Sequence, residues 1–301
     1  MSPSTQVPEP ALHAGRDDLP AAVAAALDDP AAAEAGVVEA AGIRFATRSW
    51  GEPAAAPLLL VHGVTASSRI WWRIGPALAV GLGRRVVALD QTGHGLTGAW
   101  TGHHRFPDNA ADVAAFAAAA GLAVPGLRVV GHSWGAMTVA ELPAGGLVPD
   151  VLVLLDPPAI PATAIATMLD DPVERRYDDL AEAVGAIGRL HPTWPYGDVV
   201  AKAEALTQFD EAAVRAILTG NGDWDGGLAA LARPAAAAVP VWLVRGEPAW
   251  GGLVPDAAAA AIGARIGTGH VITIAGGAHS PMRLRPEATM LALLRALGDE
   301  P

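Results

Sequence analysis

The chain has 301 residues, a mass of 30.6 kDa, no cysteine, and a formal charge of −11 from 20 Lys and Arg against 31 Asp and Glu. With no long basic run, that balance argues against nucleic acid or an anionic membrane surface as a main partner. The missing cysteines exclude disulfides, thiolate metal sites and a cysteine nucleophile.

In chain order, residues 1–36 read as an N-terminal extension. Residues 1–17 are rich in Pro and Ser and are expected to be poorly ordered. They lack the basic start and apolar block of a secretory signal, and a cytoplasmic location is expected. Asp18 to Leu27 suits a short helix that Asp29-Pro30 would end. Strands are predicted at 43–48, 57–61, 85–89, 127–131, 151–155, 241–245 and 270–274, and helices at about 68–80, 108–120, 134–143, 256–265 and 286–298. Several of the strand runs are apolar throughout, as strands buried on both faces of a parallel sheet must be. The strand–helix alternation predicts an α/β fold with a mostly parallel, doubly wound sheet. About 80 residues separate the strand at 151–155 from that at 241–245, more than a crossover needs. Residues 37–156 and 239–301 are therefore predicted to form the core, and 157–238 a helical cap over the carboxyl edge of the sheet.

Three short motifs carry chemistry, and a fourth is structural. Gly131-His132-Ser133-Trp134-Gly135 matches G-x-S-x-G between a predicted strand and a predicted helix, a placement that would expose the Ser133 hydroxyl on a tight turn. His62-Gly63-Val64-Thr65 follows the strand at 57–61; its Val64 N–H and that of Trp134 are candidate donors to an oxyanion. Gly276-Gly277-Ala278-His279-Ser280 follows the last predicted strand and supplies an imidazole, which titrates near neutrality as a general base must. Leu89-Asp90-Gln91-Thr92-Gly93-His94-Gly95 reads as a structural loop.

Together these motifs resemble the α/β-hydrolase superfamily over residues 37–298. The resemblance implies a serine nucleophile at Ser133, a base at His279, and an oxyanion hole from Val64 and Trp134. Serine at the elbow separates the chain from the dehalogenase and epoxide hydrolase branches, which use Asp there. The third member of a triad departs from the family pattern. After Arg245-Gly246 the usual position of the acid falls on Ala249 or Trp250. Glu247, in the expected loop and followed by Pro, is the preferred acid. Asp156, at the end of the preceding strand, is the alternative. Asp256 is read as the cap of the helix after Pro255.

His62, Trp71, Trp194 and Trp224 are candidate walls of a substrate pocket, and Trp134 adjoins the nucleophile. The charged run Asp170-Asp171 through Asp178-Asp179 reads as a solvated helix face. No spaced ligand cluster calls for a metal, and no glycine-rich loop for a phosphate; no cofactor is expected. The expected partner is a small-molecule substrate, with no nucleic acid and no membrane. The recognised loops carry no charge cluster, which favours an uncharged, apolar substrate. The predicted activity is cleavage of an ester-like bond through an acyl-enzyme. A lactonase, thioesterase, C–C bond hydrolase or cofactor-free perhydrolase would share these motifs. A non-catalytic ligand receptor is the alternative of another class.

Overall fold

The run Pro57-Leu58-Leu59-Leu60-Val61 forms a strand buried at every position. Leu58 and Leu60 pack in one apolar cluster with Val86, Val130 and Val153, while Leu59 and Val61 pack in another with Val87, Val129 and Leu152. Successive strand side chains point to opposite faces, so an unbroken apolar run serves two cores at once. Each such Leu, fully buried, stabilises the fold by about 2 kcal/mol relative to an exposed one.

A computed structural model describes residues 10–97 and 100–298. Its main sheet holds β1 (Glu34–Ala40), β2 (Ile43–Trp50), β3 (Pro57–Val61), β4 (Arg85–Leu89), β5 (Arg128–His132), β6 (Val151–Leu155), β9 (Val241–Gly246) and β10 (Val271–Ile274); a separate antiparallel pair joins β7 (Ala159–Ile160) to β8 (Trp224–Asp225). The order across the sheet is β1-β2-β4-β3-β5-β6-β9-β10, parallel from β4 to β10 and antiparallel at β1 and β2. The helices flanking it are α1 (Ala21–Asp28), α2 (Ile74–Leu82), α3 (Phe106–Ala119), α4 (Trp134–Ala140), α10 (Asp256–Ile266), α11 (Pro281–Leu284) and α12 (Pro286–Leu297). From β3 the chain winds outward first to β4 and then, on the other side, to β5. The strand order therefore reverses beside β3, where an open α/β sheet leaves a crevice at the strands' carboxyl ends.

Two expectations at the amino end differ from what is observed. The strand β1 was not predicted: its residues are mostly exposed and show no alternation, and it is held by a hairpin whose turn residues, Ala41 and Gly42, both have positive φ. That turn geometry matches the twist of the paired strands. Residues 10–17 are not loose: the Leu12 N–H donates to Thr273 O at 2.6 Å, and Leu12 O accepts from the Ala275 N–H at 3.0 Å, which adds a rung beside β10. The first nine residues of the predicted disordered segment lie outside the described residues.

Between β6 and β9 the chain forms α5 (Ala162–Ala166), α6 (Leu180–Leu190), α7 (Tyr196–Thr207), α8 (Glu211–Gly220) and α9 (Leu228–Leu231). Asp179 and Asp210 cap α6 and α8 through their side chains, each satisfying N–H groups the first turn leaves free. This insert has its own apolar cluster, including Ile165, Tyr177, Leu206, Phe209 and Leu218, which takes in Trp134 and Met137 from α4. The charged run 170–179 is not the helix face expected of it; beyond a short 3-10 turn ending at Asp170 it is irregular. No described helix is long and apolar enough to cross a membrane.

Candidate active site

Ser133 sits between β5 and α4 with φ 57° and ψ −124°, a conformation non-glycine residues rarely adopt and one that costs about 1–3 kcal/mol. The neighbouring glycines make it possible. A Cβ on Gly131 would overlap the Gly135 carbonyl, and one on Gly135 would overlap the Val61 and His62 carbonyls. A Cβ on Gly63 would lie 2.8 Å from Ser133 Cβ, so the loop after β3 runs directly beside the serine. The Ser133 N–H donates to Leu155 O at 3.0 Å, tying the turn to the end of β6.

The Ser133 hydroxyl lies 2.8 Å from His279 Nε2, and His279 Nδ1 lies 2.7 Å from Asp156 Oδ2. Asp156 is fully buried and also has positive φ, 45°. Its Oδ1 accepts the Gly246 N–H and its Oδ2 the Leu253 N–H, both at 2.9 Å. A proton on His279 Nδ1 donates to Asp156 and leaves Nε2 free to accept from the serine hydroxyl. The three residues come from the carboxyl ends of β5, β6 and β10.

The carboxylate bonded to His279 is thus that of Asp156, and the preferred assignment of Glu247 is corrected. Glu247 Oε2 accepts the Gly276 N–H at 2.6 Å, and its own N–H donates to Gly277 O at 2.8 Å. Its side chain is spent on the turn that precedes His279. The reason lies in strand order: β6 is next to β5, and the histidine loop folds back over the end of β9, where a Cβ on Gly246 would meet Ala278 O at 2.5 Å. Asp256 does not cap its helix; its Oδ1 pairs with Arg245 at 2.7 Å.

Ser133, His279, Val64 and Trp224 line one cavity of about 330 Å³ between the sheet edge and the insert. Three other expected wall residues do not line it. Trp71 is fully buried beneath the sheet edge in the core cluster shared with α2 and α12. Trp194 stacks on His191, with ring centroids 3.7 Å apart. His62 is fully buried; its Nδ1 lies 2.7 Å from Gly63 O and its Nε2 accepts the Gln91 N–H at 3.0 Å, so it shapes the loop that carries Val64. The Trp134 side chain is likewise buried, packed against His62 and His94.

The sequence reading missed the insert's hold on that loop. Lys202 Nζ, on α7, donates to Thr65 O at 3.0 Å and to Thr65 Oγ1 at 2.9 Å, and pairs with Glu174, which also accepts from Thr65 Oγ1 at 2.8 Å. Thr65 has φ 53°, a third strained residue at the site. Lys202 is pulled below the ordinary lysine range by burial, against the Glu174 charge, which raises it. No motif marks Glu174 or Lys202, and among the many charges of the insert nothing in the sequence singles them out.

Burial lowers the pKa of His62 to about 4 and that of His94 to about 3. Both therefore stay neutral in the folded protein at neutral pH, while the unfolded chain takes up protons below about pH 6.5. Their stabilising contribution is complete above that pH and is lost as pH falls through 4 for His62 and 3 for His94. Thermal melts between pH 7 and pH 4 should show a loss of about 3 kcal/mol from His62 alone. A flat profile over that interval would mean that His62 accepts a proton in place.

The sequence matches the Alpha/beta hydrolase family over residues 58–292. The chain belongs to that family. No curated protein matches the sequence of this alpha/beta hydrolase. Among solved structures it is similar to E-2-(acetamidomethylene)succinate hydrolase, with a TM-score of 0.74 and 22% identity, covering 89% of this chain and 100% of that one. It is also similar to the esterase RhEst1 from Rhodococcus sp. ECU1013, with a TM-score of 0.66, 20% identity and coverage of 89% and 99%. A third likeness is to the thioesterase domain from the curacin biosynthetic pathway, at 0.66 and 22%, with coverage of 88% and 99%. At these identities the likeness is one of fold.

Proposed function

We propose that this alpha/beta hydrolase is a serine hydrolase that cleaves an ester-like bond of a small molecule through an acyl-enzyme on Ser133. The observation that carries the reading is the continuous hydrogen-bonded relay Ser133–His279–Asp156 opening into the cavity. His279 Nε2 takes the hydroxyl proton as Ser133 Oγ attacks the carbonyl carbon. Asp156 holds the imidazole in the tautomer that can accept and stabilises the imidazolium that follows. The Val64 and Trp134 N–H groups hold the oxyanion; His62 and the Lys202–Glu174 pair position the loop that presents Val64. Collapse of the tetrahedral intermediate transfers the proton from His279 to the departing alcohol. Water then enters and attacks the acyl carbon as His279 takes a proton from it, and the imidazolium returns that proton to Ser133 Oγ as the acid departs. The insert serves as a cap that limits access of bulk water to the cavity.

The test is active-site labelling. A fluorophosphonate should add once per chain, on Ser133, and abolish hydrolysis of p-nitrophenyl butyrate in proportion to labelling. A folded protein that neither reacts with the probe nor cleaves any p-nitrophenyl ester from acetate to octanoate would sink the reading.

A further inference from the structure

Arg283, on α11 four residues beyond His279, lines the same cavity yet is only 7% exposed. Among the described residues its side chain makes no hydrogen bond or ion pair, and its buried Nε has no partner. Its guanidinium lies 4.1 Å from the centre of the Trp194 ring, which supports it as a cation–π platform. Two carboxylates lie near it, and neither bonds to it. Glu174 is shared between Lys202 and Thr65, while Asp198 accepts the Trp72 indole N–H at 3.1 Å through Oδ1 and keeps a buried Oδ2 without a partner. Neither pairs with Arg283, although both act on it from a distance. A buried guanidinium without its bonds is costly. It stays protonated at neutral pH and offers five donors in a fixed fork. Its planar geometry fits a carboxylate bidentately.

We propose that Arg283 anchors a carboxylate carried on the acyl part of the substrate, so that the preferred substrates are half-esters of small dicarboxylic acids. The proposal rests on the Ser133 reading for its chemistry, but not for its binding. The insert lines the cavity with charged side chains, Arg175, Arg176 and Arg215 among them, and with the apolar Ile165, Phe209 and Leu218, which suit the short methylene chain between the two acid groups. The motif loops alone gave no hint of this charge, because Arg283 lies beyond the last motif and Trp194 comes from the insert.

The experiment compares mono-p-nitrophenyl succinate, glutarate and adipate with p-nitrophenyl butyrate, each rate divided by its uncatalysed rate at the same pH. Wild type should favour one half-ester by tenfold or more in kcat/KM. Arg283→Gln should reduce that ratio to near one, with Arg283→Lys in between. In parallel, Ser133→Ala should bind glutarate in a calorimetric titration, and the Ser133→Ala/Arg283→Gln double variant should not. Glutarate binding without turnover of any ester would support the anchor and count against Ser133 as nucleophile. A wild type with no preference for any half-ester and no glutarate binding would overturn the anchor, even if turnover depends on Ser133. So would an Arg283→Gln variant that keeps its charge preference. If the Gln variant fails to fold, the wild-type substrate ratio and the Ser133→Ala titration still decide.

Discussion

Ser133→Ala should lower kcat for any ester the wild type cleaves by about 10⁴- to 10⁶-fold, with little change in the melting transition. The size follows from what is lost. The hydroxyl is the only group in the relay able to form the acyl-enzyme, and its bonding is slight: its one side-chain partner among the described residues is His279 Nε2, 2.8 Å away. What remains, the oxyanion donors and the binding cavity, would support only a residual rate over water. The fold is little affected because the turn is held by its backbone. The Ser133 N–H bonds to Leu155 O, and Ser133 O accepts from the Ala136 and Met137 N–H groups, all independent of the side chain. Kinetics on p-nitrophenyl butyrate beside a melting curve make the measurement. Activity within tenfold of wild type would remove Ser133 from the mechanism.

Asp156→Asn should cost about 10⁴-fold in kcat, and Glu247→Gln less than about tenfold. The Asp156 carboxylate receives three donors, from Gly246, Leu253 and His279. An amide has only one oxygen to offer, so its NH₂ group must face either the Gly246 N–H or the Leu253 N–H and the imidazole together. Facing the imidazole, it would favour the wrong tautomer and withdraw the base from Ser133. In either orientation a buried backbone donor is left unpaired, at a cost of about 1–3 kcal/mol in stability. Glutamine at 247, by contrast, can still accept the Gly276 N–H through its carbonyl oxygen. The ranking of the two variants separates the roles: a steeper loss at Glu247 would reverse the assignment.

The motif residues were legible because their chemistry is local. A nucleophile turn needs glycines at fixed offsets, and a strand buried on both faces needs an unbroken apolar run, so Ser133 and β3 could be read from a few letters each. The acid could not. Asp156 and Glu247 both end core strands, and what separates them is the order of β5, β6 and β9 across the sheet and the backbone at Asp156, neither of which spacing reveals. The wall residues failed for a related reason. Trp71 and His62 adjoin the site in sequence, yet one packs into the core and the other braces a loop. Residues that do face the cavity, such as Lys202 and Arg283, come from segments without a motif. The run 170–179 misled on shape: most of its charged residues face solvent, as expected, but the chain there is irregular and Glu174 turns inward to Lys202.

The two flanks of the main sheet are defended in different ways. At one, β1 carries Glu34 and Glu39 on a largely exposed hairpin, and charged edges discourage a second sheet from docking. At the other, Val271-Ile272-Thr273-Ile274 has no charge to repel a neighbour, and the rung supplied by Leu12 occupies its backbone instead. That short rung therefore acts as a shield against self-association. Removing or displacing it would expose a sticky β edge immediately before the loop that carries His279, so clumping and loss of activity would share one origin.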